Sequence, residues 1–390
     1  MIGPSHLPPS APRQPPGRPP RVAVVTGSRA EFGLLRPVMN AVEAHPRLDL
    51  LVIAAGAHLI QPADTFREVK AHFDVADSIP MQVAGRSGRY EDAEALAKGV
   101  GRFARGFDRL RPDWIVLLGD RIEPFAAAAA AAVMGLAIAH VHGGDRAEGV
   151  ADESMRHAIT KLSHLHFPAT PQSAERVIRM GEKPEFVHVV GSPAIDALGA
   201  IGPLPDAIYA ELGSPRVVFL MHPIGRHAEQ EEAAAGQVLD ALSGERVLAL
   251  HPNHDPGRDG IVRAIEHADV PSRTHLPREH FVGLLKRLAL CEASGVLVGN
   301  SSAGLIEAAA LRLPAVDVGP RQNGRERAGN AVHSVESASG VREALAAARA
   351  LDRSQLSHPY GDGRAGERIA DLLASTDPGD ARLRRKLCTY

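Results

Sequence analysis

Residues 21–42 read RVAVVTGSRAEFGLLRPVMNAV, and this stretch decides the fold class. Arg21–Val25 is a short β-branched run, Thr26–Ser28 is a turn of small residues, and Leu34, Leu35, Val38, Met39 and Val42 share one helical face. A strand that turns tightly into an amphipathic helix is the first part of a βαβ unit. The alternation continues outward. Further strand candidates are Leu48–Ala54, Trp114–Leu118, Leu136–Val141, His164–Phe167 and Phe186–Val190, then Arg216–Leu220, Arg246–Leu250, Gly295–Val298 and Ala315–Val318. Between them, Leu96, Val100, Phe103, Phe107 and Leu110 mark a second amphipathic helix. The Gly- and Pro-rich segment Gly199–Ser214 separates the two series and reads as the linker. Two α/β units with parallel sheets are therefore expected, and the lack of a short-period repeat excludes solenoids and propellers.

Composition removes several function classes. A chain of 390 residues exceeds the ~100–200 of one domain, so two cores are expected. With 44% hydrophobic and 23% charged residues it is ordinary globular material, neither disordered nor coiled coil. A formal net charge of −2 creates no field for nucleic acid or an anionic membrane, so a phosphorylated ligand has to be held by local charges. Cys291 and Cys388 are too few and too distant for a disulfide framework or a cysteine zinc site, which fits a cytoplasmic setting. The longest apolar run, Phe125–Ala139, falls short of the ~18–20 residues that cross a bilayer. Its seven consecutive alanines read as a buried helix leading into a strand. Residues 1–20 hold eight prolines and no apolar segment, which reads as a disordered lead-in rather than a signal peptide.

In open parallel sheets, ligands gather beyond the carboxyl ends of the strands, so the residues just after each strand carry the functional information. After the first strand, a helix start with Arg29 suits an anion, although the segment is neither a dinucleotide fingerprint nor a P-loop. After the third come Asp120 and Arg121, a carboxylate and a guanidinium fit for proton transfer beside an anion; capping of the next helix is the plainer role for Asp120. His140 and His142, two apart at a strand end, read as polar lining of a cleft. With Asp145 they lack a third ligand at convincing spacing, so no metal is expected. The charged loop that follows, with Asp152, Glu153 and Arg156 beyond it, suits a flap over a site.

Two strands of the second series end in His-Pro pairs, His222-Pro223 and His251-Pro252-Asn253, which set the histidines at the sheet edge. GNSSAGLIEAA, residues 299–309, offers Ser301 and Ser302 as caps whose helix start suits a diphosphate, with Glu307 placed to accept from a ribose diol. Arg321, Arg325 and Arg327 fall within seven positions and suit phosphate. His275 is a further candidate contact to the substrate.

The strings TGSRAEFGLLRP, LLGDR, HVHGGD with DESMRHAITKLSHLHF, VVGSPAID, GNSSAGLIEAAALRLPAV and GPRQNGRERAGN occur in the order and spacing of a known family. Over residues 21–330 the chain resembles the UDP-N-acetylglucosamine 2-epimerases, and most of all their hydrolysing, sialic-acid-pathway branch. The resemblance implies a GT-B fold, with two Rossmann-like domains facing across a cleft. It implies a homodimer, a UDP-sugar substrate and no redox cofactor. The expected layout is a lead-in at 1–20, a first domain at 21–200 with the catalytic residues, a UDP-binding domain at 201–360, and a C-terminal helix within 361–390 crossing back to the first domain.

By the same resemblance, Arg29, His222, Asn253, Ser301, Ser302, Glu307 and Arg321 bind UDP, with Arg29, His222 and Arg321 neutralising it as it departs, Arg121 contacts the substrate, and Asp120, His142 and Asp152 together are the expected catalytic set. The implied chemistry is anti elimination of UDP through a 2-acetamidoglucal, followed by re-addition that inverts C2 to give a ManNAc product. Asp120 matches a catalytic aspartate and Asp152 a further acidic position. At the position where other members carry a second catalytic glutamate, this chain has His142. Either His142 carries that proton, as an ordinary pKa near ~6.5 permits, or Asp145, Asp152 or Glu153 does. A GT-B glycosyltransferase, or a non-catalytic UDP-sugar-binding protein, would share the same UDP clamp.

Overall fold

The computed structural model describes residues 18–60, 65–86, 88–147, 153–196, 198–253, 255–291 and 295–387. Asp152, Cys388 and residues 1–17 of the Pro-rich lead-in lie outside the described residues. The first sheet contains β1 (Arg21–Thr26), β2 (Asp49–Ala55), β3 (Val75–Ile79), β4 (Trp114–Leu118), β5 (Ala137–Val141) and β6 (Leu165–Phe167), in the order β3-β2-β1-β4-β5-β6. The second contains β7 (Val217–Leu220), β8 (Val247–Leu250), β9 (Ser272–Arg273), β10 (Val296–Gly299), β11 (Ala315–Val318) and β12 (Ala331–Ser334), in the order β12-β11-β10-β7-β8-β9. Strand pairing is parallel throughout both sheets. Strand order reverses between β1 and β4 and again between β7 and β10. Each lobe thus has the switch-point crevice of a Rossmann-like sheet, and the whole is a GT-B-like α/β architecture.

Both faces of each sheet are covered, which is why the strands read as continuous apolar runs. Val22 and Val24 pack with Phe32, Leu35, Val38, Met39 and Val42 on one face of the first sheet. Ala23 and Val25 pack with Phe103, Phe107 and the alanine helix Ile122–Val133 on the other. Each fully buried large side chain contributes roughly 1.5–3 kcal/mol. In the second sheet, Val217 and Phe219 face one cluster and Val218 and Leu220 the other. A smaller cluster of Ala194, Ile195, Leu198, Val282, Ile306 and Tyr360 joins the lobes.

The helix Ala365–Ser375 returns to the first lobe. Its Ala365, Ile369, Ala370 and Leu373 complete the core around Leu35 and Val38 of the helix Arg29–Ala44. Gly366 makes that approach possible, because a Cβ there would lie 2.6 Å from the Pro37 carbonyl oxygen. Asp196 fastens the start of the returning helix by accepting from the backbone N–H groups of Ala365 (3.0 Å) and Gly366 (2.7 Å).

Three expectations are corrected. Phe186–Val190 is not a strand: it follows a 3-10 turn at Pro184–Phe186 and contributes a single bridge, Val187 to His166. Gly199–Ser214 is not a loose linker but contains the helix Asp206–Glu211, and Leu204, Tyr209 and Leu212 belong to the second lobe's core. β3, β9 and β12 were not expected, since they are short edge strands with exposed or polar positions. Among the described residues, no helix is long and apolar enough to cross a membrane.

Candidate functional site

The loops after β1 and β4, on either side of the first switch point, carry the first lobe's contribution. Ser28 caps the helix Arg29–Ala44. The helix start is not open to an external anion, because the Glu31 carboxylate folds back to accept from the Gly27 N–H (3.0 Å) and the Ser28 hydroxyl (3.3 Å). Beside it lies the fully buried Glu123, whose Oε1 accepts from Gln82 at 2.7 Å. Gly27 and Gly56 make its space: a Cβ at either would come within 2.5 or 2.4 Å of the Glu123 side chain. Burial, and then the Glu123 charge, push Glu31 up to about 8.

Asp120 does not cap the helix Ile122–Val133, which has no side-chain cap. It pairs instead with the buried Arg156 of the helix Glu153–Leu162. Arg156 is lowered to about 9 by burial, then by Arg325 and Arg321 of the opposite lobe. Arg156 of the first lobe therefore feels the charge of two arginines of the second, with Asp120 as its ion-pair partner.

The second lobe meets this region with the loops after β7, β8, β10 and β11. The Asn300 side chain ties β7 to β10, accepting from the His222 N–H (2.7 Å) and donating to the His222 carbonyl (2.8 Å). His222 Nδ1 accepts from the Asn253 N–H at 3.2 Å. The imidazole is held neutral, lowered to about 3 by burial and then by Arg321. Arg321 donates to the Asn300 carbonyl at 3.2 Å. Ser301 caps a 3-10 turn, Ser302–Gly304, and Glu307 opens the short helix Glu307–Ala310.

Polar contacts cross between the lobes at several points. Arg121 Nη1 lies 2.9 Å from Asp255 Oδ1, and Arg29 donates to the Leu276 carbonyl at 3.1 Å. Arg278 bonds Glu307 at 2.7 Å and also the Ala194 carbonyl. Arg325 donates to the Arg146 carbonyl at 3.3 Å and lies 3.9 Å from Asp145. The cleft is thus a seam rich in arginines, most of them facing a carboxylate of the same or the opposite wall.

The family model for UDP-N-acetylglucosamine 2-epimerase matches residues 40–374. The chain belongs to that family. A UDP-N,N'-diacetylbacillosamine 2-epimerase (hydrolyzing) of Legionella pneumophila is 34% identical over 95% of this chain and 99% of its own length. A UDP-N-acetylglucosamine 2-epimerase of Neisseria meningitidis is 30% identical, covering 90% and 94%. In fold, the chain is similar to the crystal structure of a UDP-GlcNAc 2-epimerase from Neisseria meningitidis bound to UDP-GlcNAc, with a TM-score of 0.75 at 17% identity over 91% of this chain and all of the other.

Within this epimerase-family member, the structure gathers most of the expected residues at the cleft and reassigns some. His140 and His142 stand at the carboxyl end of β5. Both are buried: His140 bonds the Gly119 carbonyl and Thr160, and His142 bonds Asp145 (2.8 Å) and Ser192 (2.9 Å). Burial alone would raise Asp145, but His142 and Arg325 outweigh it and hold the carboxyl at about 2. Of the three clustered arginines, Arg321 and Arg325 reach the seam, while Arg327 pairs with Asp317 at 2.5 Å. Glu307 is engaged by Arg278, so a ribose would share it with that guanidinium. Glu153 sits against His157 (3.6 Å) and the Ala147 N–H (3.4 Å). His275 is exposed beside Arg29, and His251 lies near Arg258. Asp152 lies outside the described residues. Sequence reasoning missed Glu31, Glu123, Asp255 and Arg278. Asp255 alone left a signal, standing two residues beyond Asn253 in a strand-end loop. Among the described residues, no group of three or more His, Cys, Asp or Glu side chains could hold a metal ion.

Proposed function

We propose that this chain inverts C2 of a UDP-linked N-acetylated amino sugar and releases UDP by hydrolysis. The observation that carries this reading is the set of arginines at the cleft, with Arg121 of the first lobe 2.9 Å from Asp255 of the second, Arg325 of the second 3.9 Å from Asp145 of the first, and the partly buried Asp120 paired to Arg156. Guanidinium groups on both walls of a cleft favour a multiply charged anion such as a diphosphate. The relatives named for UDP-N,N'-diacetylbacillosamine and for UDP-N-acetylglucosamine support a sugar with an acetamido group at C2.

In this mechanism Asp120 takes the C2 proton. The C2–H electron pair forms the C1=C2 double bond, and the C1–O pair leaves with UDP. Because C2–H is a weak acid, most of the barrier reduction comes from stabilising the departing diphosphate, the task of Arg29, Arg121 and Arg321 with the Ser301–Ser302 turn. His222, held neutral, contributes a hydrogen bond rather than a charge. Protonation of C2 from the opposite face and addition of water to C1 complete the inversion. His142, with both ring nitrogens engaged, is read as a support for Asp145 and the loop rather than as the base. Glu307 serves the ribose.

Incubation in D₂O with UDP-GlcNAc and with UDP-N,N'-diacetylbacillosamine, followed by mass spectrometry, tests the reading. One deuterium at C2 of a manno-configured product and stoichiometric free UDP are expected from one of the two sugars. A folded sample that neither exchanges C2 nor releases UDP from either sugar rejects the activity. An intact UDP-linked epimer would assign the reversible outcome instead.

A further inference from the structure

Asp255 is a carboxylate of the second lobe's half of the seam, and unlike Glu307 it has no task in the mechanism above. It lies in the loop after β8. Its Oδ1 is 2.9 Å from Arg121 Nη1 of the opposite lobe, and its Oδ2 accepts from the Asn253 amide at 2.5 Å. Burial alone would raise its pKa, but Arg121 and then Arg321 outweigh burial and keep it ionised. Arg121 has a second carboxylate neighbour, Glu123, at 3.6 Å within its own lobe. It therefore does not need Asp255 for neutralisation. An ionised carboxylate bridged to Arg121 and facing Arg321 and His222 stands where an incoming diphosphate would look for the same partners. Like charges a few ångströms apart in a partly dehydrated cleft repel strongly.

We propose that Asp255 is a built-in competitor for the diphosphate: it holds Arg121 while the cleft is empty and weakens the grip of the cleft on free UDP. The inference rests on the reading of this cleft as the UDP site. Binding energy given equally to substrate and product adds nothing to the chemical step and slows release. A fixed anion beside the diphosphate lowers that uniform affinity. UDP leaving C1 carries more charge on its terminal phosphate than it did as a sugar ester, so the repulsion falls most heavily on the product.

The test is calorimetric titration of UDP and of uridine into wild type, D255N and D255E, with circular dichroism to establish that each variant is folded. D255N keeps a side chain of the same shape without the charge, and its Kd for UDP is expected to fall by roughly tenfold or more. The constant for competitive inhibition by UDP should fall in step, with a smaller change in KM for the UDP-sugar. D255E, still charged, should bind UDP within about threefold of wild type, and uridine affinity should not move. Unchanged or weaker UDP binding by D255N overturns the proposal. So does an equal gain for uridine, or a gain by D255E as large as that of D255N, since both point to packing rather than charge. If D255N does not fold, D255S is read against the same outcomes. Failure of the wild type to bind UDP at all is a different result, and it overturns the assignment of the cleft.

Discussion

Asp120 stands between a buried guanidinium and the open seam, and this placement gives a prediction at the scale of one residue. Asp120→Asn removes the proton acceptor while keeping side-chain shape, so C2 deuterium exchange should fall by about 10²–10⁴-fold. UDP binding should be retained, because the substitution takes negative charge away from Arg156. Exchange at near wild-type rate in a folded D120N protein would falsify the proton-transfer role. At this scale the sequence was only partly legible. Asp120 and Arg121 could be picked out because they follow an apolar strand directly. The partners of His142 left no trace in the sequence, because they are three and fifty residues away and both nitrogens are engaged only in the folded lobe. The Glu31 carboxylate turning back onto the Gly27 N–H closed a helix start that reads as open in sequence.

Between the residue and the molecule, glycines decide how closely elements approach, and two of them make opposite predictions. Gly366 has the Pro37 carbonyl where its Cβ would go, so Gly366→Ala should cost about 1–3 kcal/mol in urea unfolding. Gly101 lies in the helix Arg89–Leu110 with nothing within 4 Å of such a Cβ, so Gly101→Ala should stabilise by about 0.5–1 kcal/mol. Equal effects from both would contradict the packing described. The strands of both sheet centres were legible, because two buried faces force unbroken apolar runs. The edges were not: Val75–Ile79 carries Asp77 and Ser78, and Ser272–Arg273 is too short to produce a pattern. Tyr209 and Leu212 were hidden among prolines and glycines, whose local turn signals outweighed two apolar residues that pack on the second lobe.

For the whole molecule, buried histidines set the response to acid. His58, bonded to Thr26 and Thr65, is lowered to about 4, and His140 to about 3, in both cases by burial. The unfolded chain titrates these groups near ~6.5, so below that pH it binds protons that the native state refuses, at roughly 2 kcal/mol each by pH 5. Glu31 acts in the opposite sense: raised to about 8, it loses stability as pH climbs from its unfolded value. His164, lowered to about 3, joins the first group and widens its lead. Urea unfolding should therefore show lower stability at pH 5 than at pH 7; an equal or higher value at pH 5 would mean that these imidazoles can take a proton without unfolding. The helix Ala365–Ser375 bears on how the molecule comes to exist at all. A ribosome that has finished every strand of the first lobe has still not made the apolar side chains that seal it. That lobe must wait, partly uncovered, through the synthesis of the entire second one.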